Sequence, residues 1–144
     1  TIIAAIELGK RISCFTEDER PAINTPADAA KVLMPTMRYL KKETFKTLLL
    51  DTKNRLIKIE NISTGILDAS LVHVREVFAP AILEGASSIL LAHNHPSGNC
   101  IPSSQDLEIT RNLMEASKIM QIDILDHIIL GDGRFLSLKE KKLI

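Results

Sequence analysis

A chain of 144 residues, 45% hydrophobic and 25% charged, is long enough for one domain with a real core and has the ordinary balance of a soluble globular protein. Eighteen Lys and Arg offset eighteen Asp and Glu, and one Tyr, four Phe and no Trp leave little to stack on bases, so the composition carries no footprint for nucleic acid. Its two cysteines, Cys14 and Cys100, exclude a disulfide framework and a cysteine-built zinc site and read as free thiols of a reducing cytoplasm, and neither a secretory leader nor a membrane-length apolar run is present.

Thr1 to Lys10 reads as a short helix stopped at Gly9, and Arg11 to Asn24, polar and interrupted by Pro21, as a linker. The start at Thr1 without methionine reads as a fragment cut from a longer protein. Thr25-Pro26-Ala27-Asp28 is a helix start: Thr as N-cap, Pro in the first turn, Asp three residues after the cap. Pro35 should break or kink that helix, leaving a second helical piece over Thr36 to Lys42. Thr44 to Leu50 reads as a strand, Asp51 to Asn54 as a turn, and Leu56 to Ser63 as the returning arm of a hairpin. Ser70 to His73 is a short strand or connection, and Val74 to Gly85 a helix in spite of Pro80. Ser88 to Ala92 is the central strand. Asp123 to Leu130 is a further strand, turned at Gly131-Asp132-Gly133 into Phe135 to Leu138. Strands and helices mix without a strict alternating rhythm, which points to an α/β domain with a mixed sheet flanked by helices.

The chain is organised around Ala92-His93-Asn94-His95-Pro96-Ser97-Gly98, followed by Pro102-Ser103-Ser104-Gln105-Asp106. Residues two apart on a strand share a face, so His93 and His95 project to one side. Pro96, Gly98 and Pro102 force an irregular loop, after which Leu107, Ile109, Leu113, Met114, Ala116 and Met120 trace a helix. A strand end, a loop and a helix start can bring Asp106 back over the two histidines, and two imidazoles with a carboxylate suit a zinc ion that keeps one position open. Ser103-x-x-Asp106 is equally a capping box that needs no metal. The residues alone leave both readings open.

His-x-His-Pro followed by Ser-x-x-Asp, with Asp106 eleven residues after His95, resembles the JAMM (MPN-plus) metalloprotease motif. The fuller string His93-Asn94-His95-Pro96-Ser97-Gly98 with Pro102-Ser103-x-x-Asp106, together with Asp126-His127-Ile128-Ile129 and Gly131-Asp132-Gly133-Arg134, is similar more narrowly to the bacterial RadC family, from about Ile6 to Glu140. The resemblance implies a JAMM/MPN-like fold with cytidine-deaminase-like layering over residues 25–144. Residues 1–24 would be the trailing edge of a missing helix-hairpin-helix domain plus a linker. It implies Zn²⁺ held by His93, His95 and Asp106, Glu43 as the general base at a helix-to-strand junction, and Ser103 as a donor to the oxyanion. Glu76 competes with Glu43, and the residues alone do not separate them. Ser97 reads as a loop hydrogen-bonder, His73 and Asp132 as loop or surface residues, and His127 as either a satisfied sheet histidine or a support for the metal ligands. Cys100 and Ile101 depart from the proline and small polar residue of many relatives, placing a thiol near the metal as a bystander, an oxidation-prone spot or an adventitious ligand.

Three functions compete. The intact set of five residues favours a zinc-dependent hydrolase of peptide or isopeptide bonds. The alternative is a binding or scaffold module in DNA repair or recombination, as the family's historical name implies, although this neutral, aromatic-poor chain offers no nucleic-acid surface of its own. A nuclease reading of the literal His-Asn-His string fails because such nucleases spread those residues over a ββα motif. A cytidine-deaminase-like site lacks its Pro-Cys-x-x-Cys half.

Overall fold

The computed structural model describes residues 1–6, 19–65 and 72–144. Residues 2–6 are helical, while the rest of the expected first helix, most of the expected linker, Cys14 and the stretch 70–71 lie outside the described residues. The elements run α1 (Pro26–Met37), β1 (Glu43–Leu50), β2 (Leu56–Gly65), α2 (Val74–Leu83), β3 (Ser88–Asn94), α3 (Ser104–Met120), β4 (Asp123–Leu130) and β5 (Phe135–Ser137). The strands form one mixed sheet in the order β2-β1-β3-β4-β5. β1 is antiparallel to both β2 and β3, β3 and β4 are parallel across the α3 crossover, and β5 returns antiparallel to β4.

Thr25 caps α1 as its spacing demands, its hydroxyl accepting the Asp28 N–H at 3.2 Å while Asp28 Oδ2 accepts the Thr25 N–H at 2.8 Å. Pro35 does not split this helix, contrary to the sequence expectation. It lies in the last turn, where the carbonyl it cannot serve belongs to exposed Lys31, and α1 continues to Met37. The Asp51–Asn54 turn is held by Asp51 Oδ1, which accepts the N–H groups of Lys53 (2.8 Å) and Arg55 (2.9 Å). Beside it the chain at Pro21–Ile23 is paired. Ala22 bridges Arg55, Ile23 N–H donates to the Asn54 carbonyl at 2.8 Å, and the Ile23 side chain is buried.

Alternation along the strands divides the core into two layers. Leu48 and Leu50 of β1, with Leu90 and Ala92 of β3, pack on Ala29, Ala30, Leu33 and Met37 of α1. Phe45 and Leu49 of β1, with Ile89 and Leu91 of β3, face α2 and α3. His93 continues the Ile89–Leu91 face, so its imidazole emerges on the α3 side. The buried stripe of α3 is Asp106, Ile109, Thr110, Leu113 and Ser117, a helical spacing whose first turns are polar where they meet the histidines.

Candidate metal centre

The site forms at the carboxyl end of β3, where an all-buried strand gives way to the loop 95–103. Glu43, His93, His95 and Asp106 each turn one ligand-type atom inward, and these atoms lie within 4.8 Å of one another. His93 Nε2 is 3.3 Å from Asp106 Oδ1, and His95 Nε2 is 3.4 Å from both Asp106 Oδ2 and Glu43 Oε1. The β1–β3 register, which pairs Phe45 with His93, carries the first residue of β1 to this end of the sheet. Glu76 takes no part: it lies in the first turn of α2 and pairs with Arg75 at 3.2 Å on the surface.

Asp106 is both cap and site residue. Its Oδ2 accepts the Ser103 N–H at 2.7 Å, and Ser103 Oγ accepts the Asp106 N–H at 3.1 Å, a complete capping box. The two readings of Ser103-x-x-Asp106 are thus compatible. Ser103 Oγ uses a lone pair in the cap, which leaves its own proton uncommitted by that bond. Burial pushes the Asp106 carboxyl upward, but the facing His93 and His95 imidazoles, with the Ser103 N–H behind them, outweigh this and hold it well below the ordinary carboxylate value. The Asp106 hydrogen bond raises the His95 imidazole against the opposing effect of burial.

Both histidines offer Nε2. His95 Nδ1 donates to the Asn99 carbonyl at 2.6 Å, and His93 Nδ1 lies 2.8 Å from His127 Nε2. With both Nδ1 atoms engaged, the Nε2 atoms face each other at 3.0 Å beside two carboxylates. Lone pairs so disposed need a cation, or a proton on one ring, between them, and the donor set of two imidazoles and a carboxylate fits a divalent metal. Phe45 forms a dry floor, stacked on His93 at 6.2 Å and edge-on to His127 at 5.4 Å.

Asn94, between the two histidines, does work that its place in the motif did not reveal. It is buried, its Oδ1 accepts the Thr44 N–H at 2.8 Å, and its Nδ2 donates to the Lys42 carbonyl at 3.2 Å, gripping the backbone on both sides of Glu43. Asn94→Ala would orphan the buried Thr44 N–H, with an expected cost of about 1–3 kcal/mol read as a lower urea midpoint. A wild-type midpoint would show that water replaces the lost bond.

Among the remaining sequence candidates, Ser97 Oγ accepts the Asn99 N–H at 3.3 Å, and Asp132 pairs with Arg38 at 2.8 Å. His73 stands at the N-cap of α2 and makes no side-chain capping bond there. Cys100 packs with Ile129 and Leu138, its Sγ 3.5 Å from the Arg134 carbonyl, and burial raises its thiol pKa; it is not one of the four converging groups. Gly131 packs so tightly on the loop that a Cβ there would lie 2.3 Å from the Gly98 carbonyl oxygen and 2.7 Å from Cys100 Sγ.

A five-stranded mixed sheet between helices, with this cluster at the end of its central strand, defines an α/β domain of the JAB/MPN type. The RadC-like JAB domain model matches residues 23–143, and the chain belongs to that family. It is 57% identical over 99% of its length to a UPF0758 protein of Alkaliphilus oremlandii and covers 62% of that relative. It is 53% identical over 96% of its length to UPF0758 protein TTE0897 of Caldanaerobacter subterraneus, covering 59% of it. A UPF0758 protein of Methanosarcina mazei is 48% identical over 99% of the chain, which covers 62% of that relative. The chain therefore spans about three fifths of the length of these curated relatives. Among the described residues no helix is long and apolar enough to cross a membrane.

Proposed function

We propose that the domain is a zinc-dependent hydrolase of amide bonds, acting on a peptide or isopeptide carbonyl. The observation that carries this reading is the convergence of His93 Nε2, His95 Nε2 and the Asp106 carboxylate, with Glu43 beside them. These three are the residues that would hold the metal, and zinc bound there would polarise the carbonyl and lower the pKa of an attacking water. Glu43, partly exposed at the rim, takes the proton from that water and returns it to the leaving amine. Ser103 donates its hydroxyl proton to the oxyanion as the carbonyl becomes tetrahedral. Phe45 keeps water from the inner side of the imidazoles, which strengthens the electrostatic part of this work.

A cytoplasmic setting accords with the free Cys100 thiol. The scaffold reading draws on no feature of the site, and eighteen cationic against eighteen anionic side chains give the chain no net positive charge to favour DNA. The test is cleavage of peptide and isopeptide panels by zinc-loaded protein. Activity that disappears with a chelator and returns with zinc supports the proposal; wild-type protein that takes up no zinc overturns it.

A further inference from the structure

Beneath the site, a polar chain runs through the core from β3 to β4 to α3. His93 Nδ1 lies 2.8 Å from His127 Nε2, His127 Nδ1 lies 2.6 Å from Thr110 Oγ1, and Thr110 Oγ1 lies 2.6 Å from the Asp106 carbonyl. His93, His127 and Thr110 have no exposed surface. Each proton in the chain can be placed by elimination. A carbonyl only accepts, so the single hydroxyl proton of Thr110 is spent on Asp106, and Thr110 Oγ1 must accept from His127 Nδ1–H. His127 is wholly buried, and its two ring nitrogens meet Thr110 Oγ1 and His93 Nδ1 with no carboxylate on either to hold a second proton, so its Nε2 carries a lone pair and accepts from His93 Nδ1–H. His93 is then left with a bare Nε2, the atom that faces His95 and Asp106.

An irregularity in β4 makes this contact possible. Ile89 pairs with Ile124, but Leu91 pairs with His127, so β4 spends one extra residue between those partners. Without that bulge Asp126 would stand opposite Leu91, and His127 would fall on the other face. Asp126 is instead occupied below, accepting from the Ser137 hydroxyl at 2.5 Å and from the N–H groups of His127 (2.7 Å) and Lys139 (3.1 Å).

We infer that Thr110 and His127 are positioning residues that fix the tautomer of His93, so that an atom in the middle of α3, outside the site, determines whether His93 can ligate. The affinity arm of the test rests on the proposed metal site; the tautomer arm does not. Thr110→Val keeps the shape but removes both the donor to Asp106 and the acceptor for His127. His127 is then free to carry its proton on Nε2, which faces His93 Nδ1 and drives the His93 proton onto Nε2. Thr110→Ser keeps the hydroxyl and serves as the rescue.

Nitrogen chemical shifts of the histidine rings in metal-free protein, at pH about 8.5 and so above the ordinary imidazole range, should show His93 as Nδ1–H in wild type and Thr110→Ser. They should show a substantial Nε2–H population in Thr110→Val. Zinc affinity by chelator competition should fall about 10- to 100-fold in Thr110→Val and stay near wild type in Thr110→Ser. A general loss of packing would weaken binding without moving the tautomer, so lost affinity with His93 still Nδ1–H overturns the inference. So does an Nε2–H His93 in wild type, or a Thr110→Val protein with wild-type tautomer and affinity. If wild type takes up no zinc, the hydrolase proposal fails, and the ring shifts alone decide the inference.

Discussion

Asp106→Asn is expected to give a folded protein that takes up no zinc where the wild type takes up about one ion per chain. The substitution separates the two tasks of this residue. An amide oxygen can still accept the Ser103 N–H, as Asp106 Oδ2 does at 2.7 Å, so the cap of α3 is largely kept and the cost to folding should stay within about 1 kcal/mol. The amide nitrogen would take the place of Oδ1, 3.3 Å from His93 Nε2, and donate to the imidazoles instead of joining them around a cation. His95→Ala should lose zinc as well, without touching the cap. Elemental analysis beside circular dichroism reads both. Zinc retained at full stoichiometry in Asp106→Asn would remove the carboxylate from the ligand set.

Glu43→Gln should leave zinc content unchanged while lowering kcat for amide hydrolysis by about 10²- to 10⁴-fold, the usual range for a lost general base. The amide has the shape of the acid but cannot accept and return a proton. The result distinguishes Glu43 from its neighbours, because its Oε1 is 3.4 Å from His95 Nε2 and is near enough to be mistaken for a fourth ligand. Loss of zinc along with activity would assign it to the metal, and full activity would leave the proton transfer to another group.

Much of this centre could be read from the sequence, because its parts are local. The His-x-His pair follows from strand periodicity, and Ser103-x-x-Asp106 marks a helix start whether or not a metal is bound. Glu43 could be separated from Glu76 only by resemblance, since the choice depends on β1 lying antiparallel to β3 with Phe45 opposite His93. The supports were hidden for the same reason. Asn94 reaches back fifty residues to Thr44, and His127 meets His93 only because β4 bulges, which alternation in the sequence cannot show. Thr110 reads as an ordinary helix residue until the crossover places it over His127. Pro35 misled for a different reason: its cost depends on whether the orphaned carbonyl is buried, and at Lys31 it reaches the surface.

The placement of Asp106 in the first turn of a 17-residue helix has an electronic consequence. Aligned peptide dipoles put positive potential at that end of α3, and the Ser103 N–H already draws on one carboxylate oxygen. Asp106 would therefore give a bound cation less of its charge than a free carboxylate would. The cation would keep more of its Lewis acidity, and α3 would act as a remote electron-withdrawing substituent on the centre.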